Sequence, residues 1–522
     1  MPVPRRLLHG DITYLDAKTA DANILHQLTY TAAQRNFFIS LGHQRRQIEA
    51  VVSRHLGLSK AEKCSVSHMS DWITGSFNVV IPVSINGWRK RPGRRVLVRF
   101  PLPYKIGEAF RPGNSDEKLR CEAATYAWLS ENSPDVPIPR LWGFGLSDGH
   151  AFTILENTPL LTRCLEYIRR CLRSLFGYSL PSRYIRYPAS HELEAGYLLT
   201  DFIEERDGTM LSRTWEEGRQ DTQLRANLFR DISRIILSIG RVPQPRIGSF
   251  TINNDGFLSL TNRPLSLQLH QLENDCIPIA LSRELTYPTT RSYVIDLLDL
   301  HRSRLRHQPN AAHSIDDCLD QIASMSVMES VYSNFFSSDL RGGPFTLTLT
   351  DLHFSNIFVD EDWHITGLVD LEWACVRPIE MQHPPPWFTS HTVDEIDPAA
   401  YDEIREEFMN IFRDEESILH PSKTNPLRRA DVMQHGWENG NFWYCHALDS
   451  PTGLYHLLYR HIQPLFLKTD REDAAFYQIM SRYWVRDVQK FMDVKVKDHE
   501  EYLVQLRKAF DIPEDHLSGD SN

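Results

Sequence analysis

Apolar and polar residues alternate in several short runs of the chain, and each run predicts a β-strand. Such runs cover residues 77–85, 94–102 and 150–156, with Gly, Pro and Asn between them. Apolar residues three and four apart predict a helix over residues 36–58 that closes on Gly57, and the helix formers of residues 116–131 predict another. The order from residue 77 is therefore strand, strand, helix, strand.

Residues 157–194 interrupt this strand-rich region. They contain an amphipathic, arginine-rich helix, on which Cys164 and Cys171 share one face because they are seven residues apart. We expect these two cysteines to pack in the core. The arginine face is typical of a solvated helix, and a position on a membrane surface is the alternative.

Beyond residue 205 the pattern is mostly helical, apart from a return to strand spacing near residues 347–374. The sequence thus predicts an α+β protein with a small antiparallel-sheet N-lobe and a large, mainly helical C-lobe. We assign the parts in chain order as an N-terminal helical extension at 1–62, the N-lobe at 63–203 with an insert at 157–194, the C-lobe at 204–510 and a flexible tail at 511–522.

Length and composition narrow the class of protein. A chain of 522 residues exceeds one ordinary compact core, and its formal net charge of -11 argues against nucleic acid as the main partner. No apolar run approaches the ~20 residues that a bilayer span needs, and the first residues lack the apolar region of a signal peptide. The eight cysteines form no C-x-x-C pair. We therefore expect a cytoplasmic protein without a disulfide framework, whose oligomeric state the sequence leaves open.

Residues 347–374, LTLTDLHFSNIFVDEDWHITGLVDLEWA, carry the clearest candidate chemistry. The alternating run before Asp351 and the run that resumes at Asn356 predict a hairpin with a polar loop. A further alternating run ends at Asp370. Two carboxylates and one amide are thus expected on loops that strands carry.

Phosphoryl transfer needs such a set. One Asp accepts or orients the proton of the attacking hydroxyl, and an Asn and a second Asp hold the Mg²⁺ that bridges the phosphates of ATP. Asp351, Asn356 and Asp370 fit these roles in that order. The alternative interpretation makes Asp351 and Asn356 turn residues and Asp370 a helix cap.

The other parts of a nucleotide site are expected upstream. A turn between two strand-like runs predicts a loop that covers the phosphates, and its residues are Gly75, Ser76, Phe77 and Asn78. Arg99 on a strand and Glu122 within the next helix are a candidate ion pair, although a solvated Glu and a snorkelling Arg would give the same pattern. The apolar run at residues 197–205 predicts a hinge that holds adenine through backbone groups, formed by Thr200, Asp201, Phe202 and Ile203.

The chain resembles the aminoglycoside phosphotransferase family, whose H-G-D-L-H-x-x-N and I-D-W-E motifs are echoed by LTDLHFSN and VDLEW. It is most similar to a fungal branch of that family, through GSFN, VLVRFPLPYKIGE, DEKLRCEAATYAW, VPIPRLWGFG and GWENGNFWY. The resemblance implies a bilobal, protein-kinase-like fold and the ATP- and Mg²⁺-dependent phosphorylation of a small molecule's hydroxyl. His353 after Leu352, and no A-P-E after Asp370, distinguish the chain from protein kinases.

Two departures from the family pattern bear on activity. Leu349 and Thr350 replace the His and Gly of the first motif, and Arg99 replaces the strand lysine. An arginine keeps the charge but not the point contact of an ammonium. The alternatives are therefore a catalytically impaired pseudokinase that acts as a nucleotide-binding or scaffold protein, and an enzyme that transfers AMP to a protein.

The sequence leaves the roles of two acidic features open. Glu372 either supports the metal or faces solvent. The acidic stretch at residues 394–408 either attracts a cationic substrate or forms a solvated helix face.

Overall fold

The structure, a computed structural model, describes residues 3–187, 193–419, 427–467 and 474–512. The chain begins with a short hairpin and four helices, which are β1 (Arg5–Leu7), β2 (Gly10–Ile12), α1 (Tyr14–Thr19), α2 (Ile24–Gln27), α3 (Tyr30–His43) and α4 (Arg45–Leu56). The single helix predicted over residues 36–58 is thus two helices that meet at Gln44. Gly57 ends α4 with a φ of 61°, a left-handed conformation that glycine adopts without steric cost.

An antiparallel sheet with two helices follows. Its elements in chain order are β3 (Lys63–Val66), β4 (Ile73–Thr74), β5 (Asn78–Asn86), β6 (Arg95–Pro101), α5 (Asn114–Asn132), β7 (Leu141–Gly145), β8 (Ala151–Ile154), α6 (Leu160–Leu175), β9 (Tyr184–Arg186) and β10 (Tyr197–Asp201). The strand order is β3-β5-β6-β10-β7-β8-β9, with β4 paired to the first residues of β5. The three predicted strands and the helix between them are confirmed, whereas β7 was not predicted because it follows a proline-rich stretch and contains two glycines.

The helical lobe begins after β10. Its elements are β11 (Thr209–Met210), α7 (Trp215–Gly218), α8 (Thr222–Gly240), β12 (Ser249–Ile252), β13 (Leu258–Asn262), α9 (Leu267–Asn274), α10 (Thr290–His307), α11 (Ile315–Phe335), β14 (Phe345–Thr348), β15 (Ile357–Val359), β16 (Ile365–Leu368), β17 (Cys375–Pro378), α12 (Pro398–Leu419), α13 (Arg429–Glu438), α14 (Asn441–Asp449), α15 (Leu454–Leu457), α16 (Ala474–Ser481) and α17 (Val488–Ala509). The predicted α+β class, with a small antiparallel-sheet lobe before a large, mainly helical lobe, is confirmed. The hairpin β12–β13 was not predicted.

Helix α5 is fixed on both sides. One side packs on the sheet, and the other meets the hairpin β12–β13, where the buried Arg263 donates from Nε to Glu117 at 2.8 Å. Arg263 also donates from Nη1 to Glu273 of α9 at 2.7 Å. Glu117 and Glu273 are buried together with Arg263. Because buried charges need their partners, this network favours one position of α5 relative to the helical lobe. That position sets the residues of α5 that face the interlobe cleft.

Helix α6 departs from its prediction. None of its residues is buried, and Cys164 and Cys171 are both exposed, so the expectation that these cysteines pack in the core is wrong. The shared face exists, but it points away from the protein. Residues 513–522 of the predicted tail lie outside the described residues. Within the described ranges, no helix combines the length and the apolar character needed to cross a bilayer.

Candidate functional site

The loop that carries Asp351 connects two separate sheets. Strand β14 before it pairs with β17, and β15 after it pairs with β16, all in antiparallel register. The predicted hairpin of the two flanking runs is therefore wrong. Each run has strand spacing, but each finds its partner further along the chain, so the loop spans the gap between the two sheets.

Two hydrogen bonds hold this loop where the family pattern has a histidine. Thr350 Oγ1 donates to the carbonyl of Trp373 at 2.7 Å, and Trp387 Nε1 donates to the carbonyl of Leu352 at 2.7 Å. Leu349 itself is half-buried and packs on the main core. The start of the loop is thus held by hydrogen bonds from the side chains of Thr350 and Trp387, and not by a histidine.

Asp351, Asn356 and Asp370 are brought together as the sequence predicted. Asn356 Nδ2 donates to the carbonyl of Asp351 at 3.0 Å and to its Oδ2 at 3.1 Å. Val369 N donates to the carbonyl of Asn356 at 3.0 Å, which places Asp370 beside this pair. Burial, together with the nearby charges of Asp370 and Glu372, raises the pKa of Asp351 to about 7.

Asp370 has a φ of 63°, a left-handed conformation that is uncommon for residues other than glycine. Asp tolerates it better than most residues, and such conformations concentrate at functional sites. Burial raises the pKa of Asp370 even though the Arg99 guanidinium lies against it. The carboxylate therefore sits at the end of β16 with its direction set by the backbone.

Arg99 joins three carboxylates. Its Nη1 donates to Glu122 Oε1 at 2.5 Å, and its Nη2 donates to Glu372 Oε2 at 2.6 Å and also to Asp370. The predicted Arg99–Glu122 pair is present in the structure. Burial raises the pKa of Glu122 to about 7, and its second oxygen, Oε2, has no hydrogen-bond partner among the described residues.

Lys118 is the site residue that sequence reasoning missed. It lies on α5 one turn before Glu122, and its Nζ donates to Asn78 Oδ1 at 2.6 Å and to Glu372. Burial opposes the ionisation of Glu372, but Lys118 and Arg99 outweigh it and lower the pKa of Glu372 to about 2. A signal was available, because Lys118 lies within the DEKLRCEAATYAW motif on the same helical face as Glu122. Glu372 is buried and does not face solvent.

The loop predicted to cover phosphates approaches this cluster from the N-lobe. Gly75 and Ser76 are exposed, Phe77 packs edge-on against Trp373 with ring centroids 5.4 Å apart, and Asn78 Nδ2 donates to Glu372 Oε2 at 2.7 Å. The end of the loop thus contacts the segment that follows Asp370.

The predicted hinge lies on β10, between β6 and β7. Two of its backbone amides are already paired, since Asp201 N donates to the carbonyl of Arg140 at 3.1 Å and Phe202 N to that of Arg95 at 3.2 Å. The Asp201 carboxylate accepts from Trp142 Nε1 at 2.8 Å. Thr200 is buried within the strand, and the Ile203 side chain lies on Gly367 of β16. A base at this strand end would therefore meet Ile203, and it would not find the amides of Asp201 and Phe202 unpaired.

The predicted ligands, Asp370 and Asn356, suit a Mg²⁺ ion that is bound together with phosphate groups. Among the residues that the structure describes, no three His, Cys, Asp or Glu side chains converge as a metal-binding group. Mg²⁺ in nucleotide sites, however, is held by one or two protein oxygens together with phosphate oxygens and water. Asp370 and Asn356 supply two such oxygens, so the residues present fit this cation when phosphates accompany it.

The acidic stretch at residues 394–408 is partly neutralised by the chain itself. Glu407 accepts from Arg225 at 2.8 Å, Asp402 accepts from Arg405 at 2.7 Å, and Glu406 also accepts from Arg405. These pairs stabilise α12 and reduce the charge that the stretch offers to a ligand.

Comparisons with known proteins agree with the motifs. Residues 184–381 match the family model described as "Phosphotransferase enzyme family", a range that includes Asp351, Asn356 and Asp370. This match over part of the chain confirms the resemblance to a phosphotransferase family. No curated protein matches the chain.

Two solved structures are similar in part. A macrolide 2'-phosphotransferase type I is 12% identical with a TM-score of 0.35, over 84% of this chain and 96% of that chain. An ethanolamine kinase of Plasmodium vivax is 12% identical with a TM-score of 0.35, over 83% of this chain and 84% of that chain.

Proposed function

We propose that this protein transfers the γ-phosphate of ATP, in the presence of Mg²⁺, to a hydroxyl group of a small molecule. The observation that carries the proposal is the cluster in which Asp351, Asn356 and Asp370 lie beside two cations, the mostly buried Arg99 and the fully buried Lys118. Carboxylate and amide oxygens next to fixed cations are what phosphoryl transfer requires, because the reaction depends on positioning and charge neutralisation.

Asp351 would accept or orient the proton of the acceptor hydroxyl. Its raised pKa, about 7, places it close to the range in which a general base is most effective. The hydrogen bonds that Asn356 donates to the carbonyl and the carboxylate of Asp351 fix the orientation of Asp351 before any substrate binds. Asp351 is therefore held ready as the proton acceptor.

Asp370 and Asn356 would hold Mg²⁺, which would supply positive charge against the charge that develops on the phosphates. Arg99 now pairs with Asp370 and Glu372, so its guanidinium would turn from Asp370 toward phosphate oxygens on nucleotide binding. Lys118 would remain with Glu372 and supply a second positive charge beneath the phosphates. The ammonium group of Lys118 on α5 would thus serve in place of the strand lysine of the family, which is Arg99 in this chain.

A second candidate function is nucleotide binding without transfer. It is favoured by one observation, the engagement of Arg99 with the carboxylate of Asp370. If this ion pair persists in the nucleotide complex, Asp370 is not free to hold the metal. The protein would then act as a nucleotide-binding scaffold.

Binding is tested by thermal unfolding of the purified protein with ATP, Mg²⁺ or both, alongside Asp370→Asn, Asp351→Asn and the exposed control Glu361→Gln. A ligand that binds only the folded state raises the melting temperature. We expect a rise that needs both ATP and Mg²⁺ in the wild type, Asp351→Asn and Glu361→Gln, and that is lost in Asp370→Asn. No rise in well-folded wild-type protein would reject both candidate functions.

Transfer is tested by mass spectrometry of small hydroxyl compounds, such as amino alcohols and amino sugars, incubated with the protein and Mg²⁺-ATP. An acceptor that gains one phosphate with wild type and not with Asp351→Asn supports the proposed function. Mg²⁺-dependent nucleotide binding without any phosphorylated product across the panel favours the scaffold. A protein that gains AMP identifies the remaining alternative.

A further inference from the structure

Helix α6 lies on the protein with its polar side inward. Arg163 Nη1 donates to the carbonyl of Glu156 at 3.2 Å, Arg170 to the carbonyl of Ser182, and Arg173 Nε to the carbonyl of Ser179 at 2.9 Å. These arginines come from one side of the helix. That side is held by hydrogen bonds to the segments just before and just after the helix rather than by an apolar core.

The opposite side is a continuous apolar face in contact with solvent. At 100° per residue its side chains fall on one stripe, and their exposed fractions run from 50% for Leu172 to 81% for Leu161. We call this stripe the α6 apolar face; it comprises Leu160, Leu161, Leu165, Ile168, Leu172 and Leu175, with Cys164 and Cys171 along one margin. Phe176, Tyr178 and Leu180 extend it past the helix end. A helix on a water-soluble surface normally turns such a stripe to the core, and an uncovered apolar patch of this size marks an interaction surface.

The charge around the α6 apolar face identifies what covers it. Residues 160–187 contain six arginines and a single acidic residue, Glu166, in a chain whose formal net charge is -11. The side chains of Arg169 and Arg183 are about half exposed, and they pair with Glu166 and Glu156. With Glu156 included, six arginines still face only two acidic residues in this part of the chain. A second copy of this chain docked by the same face would bring two such positive clusters together, whereas an anionic lipid surface neutralises them.

We propose that α6 lies in the plane of an anionic membrane surface, with its apolar face among the acyl chains and its arginines at the phosphate level. An amphipathic helix with a basic polar side and a leucine-rich apolar side has this binding mode. Tyr167 and Tyr178 flank the apolar face, and tyrosine favours the boundary between lipid and water because its ring is apolar and its hydroxyl is polar.

Docking of this kind leaves the candidate phosphotransfer site open. Helix α6 joins β8 to β9 at one edge of the sheet, and β9 is four strands from β6, which carries Arg99. At about 4.8 Å per strand the two are separated by about 20 Å. The inference does not depend on the proposed function, since a scaffold with this helix would bind the same surface.

The test is sedimentation of the full-length protein with vesicles of phosphatidylcholine alone or of phosphatidylcholine with phosphatidylserine. We expect binding to the mixed vesicles, weaker binding to the neutral ones, and loss of binding as salt is raised. The double variant Leu165→Glu/Ile168→Glu should reduce the bound-to-free ratio by more than about tenfold, because two apolar side chains leave the bilayer and two negative charges replace them. The control Leu15→Glu, an equally exposed leucine on α1, should bind as wild type does.

Since Leu165 and Ile168 are exposed, the double variant should keep the wild-type melting temperature, which separates loss of binding from loss of the fold. Failure of the wild type to bind phosphatidylserine vesicles overturns the proposal, as does a double variant that binds like wild type. A wild-type dimer in solution that the double variant converts to monomer, without vesicle binding, would assign the α6 apolar face to a second copy instead.

Discussion

Lys118 of helix α5 and Glu372 of the segment after Asp370 form an ion pair that joins the two lobes, with side-chain exposures of 0% and 1%. Asn78 at the start of β5 bonds to both of them. A charge held this deeply is stable only while its partners are present, because water cannot replace them. The pair therefore couples the position of α5 to that of the segment that carries Asp370.

Replacing Lys118 by Met should destabilise the protein strongly. The substitution leaves the buried Glu372 with Arg99 and Asn78 only, and removing one partner of a buried ion pair costs roughly 3–5 kcal/mol. Chemical denaturation at neutral pH measures the free energy of unfolding. The control Lys60→Met removes an exposed lysine and should change it by less than about 0.5 kcal/mol. Equal effects of the two substitutions would show that the pair contributes nothing to stability.

Replacing Arg99 by Lys should weaken the unliganded protein while preserving its response to nucleotide. One ammonium cannot bond Glu122, Asp370 and Glu372 as the guanidinium fork does, so we expect a loss of about 1–3 kcal/mol. The carboxylate of Asp370 is released at the same time. The rise in melting temperature with Mg²⁺ and ATP should therefore be at least as large as in wild type. An unchanged stability with no nucleotide response would contradict both parts.

Acid should destabilise the protein through His55. This buried histidine bonds to Thr153 Oγ1 at 2.7 Å and to the Tyr197 hydroxyl at 2.8 Å, and burial, aided by Arg54, lowers its pKa from 6.5 to about 3. Below pH 6.5 the imidazole of His55 is protonated in the unfolded chain but stays neutral in the folded chain. The contribution of neutral His55 to the free energy of unfolding is complete above pH 6.5. It falls by about 1.4 kcal/mol for each pH unit between pH 6.5 and about pH 3.

Denaturant unfolding at pH 7.5 and pH 5 compares wild type with His55→Gln and Thr153→Val. His55→Gln cannot titrate, so the stability lost between the two pH values should be smaller than in wild type by about 2 kcal/mol. Thr153→Val removes one hydrogen bond but keeps the imidazole, and should lower stability at both pH values with most of the acid dependence retained. An acid dependence in His55→Gln equal to that of wild type would exclude this histidine as a cause.

Gly143 in β7 should not tolerate a side chain. A Cβ at this position would meet the ring of His55 and lie 2.6 Å from the carbonyl oxygen of Phe152, so Gly143→Ala forces the sheet and α4 apart. Overpacking of this kind costs roughly 1–3 kcal/mol. Gly342→Ala is the matched control, because no atom lies within 4 Å of the added Cβ there. We expect a lower melting temperature for the first variant and little change for the second; the reverse order would contradict the packing.

Much of the fold and the principal site residues could be predicted from local pattern. Strands β5, β6 and β8 and helix α5 show the spacing of their class, and Asp351, Asn356 and Asp370 lie within twenty residues of one another. The hairpin predicted across Asp351 failed because strand spacing reveals a strand and not its partner. Lys118 was missed because a lysine in a helix is ordinarily solvated. The domain boundaries remain predictions.

Local pattern was enough to assign the class of most elements, the two-lobe order and the carboxylates and amide of the candidate site, since these depend on residues close together in the chain. That Lys118, Asn78 and Glu372 meet, and that α6 turns its leucines outward, is visible only in the folded chain. The physical reason is the same in both cases. Local spacing does not reveal what contacts a buried charge or an apolar face, because the contacts depend on the folded chain: Lys118 meets Asn78, 40 residues away, and Glu372, more than 200 residues away.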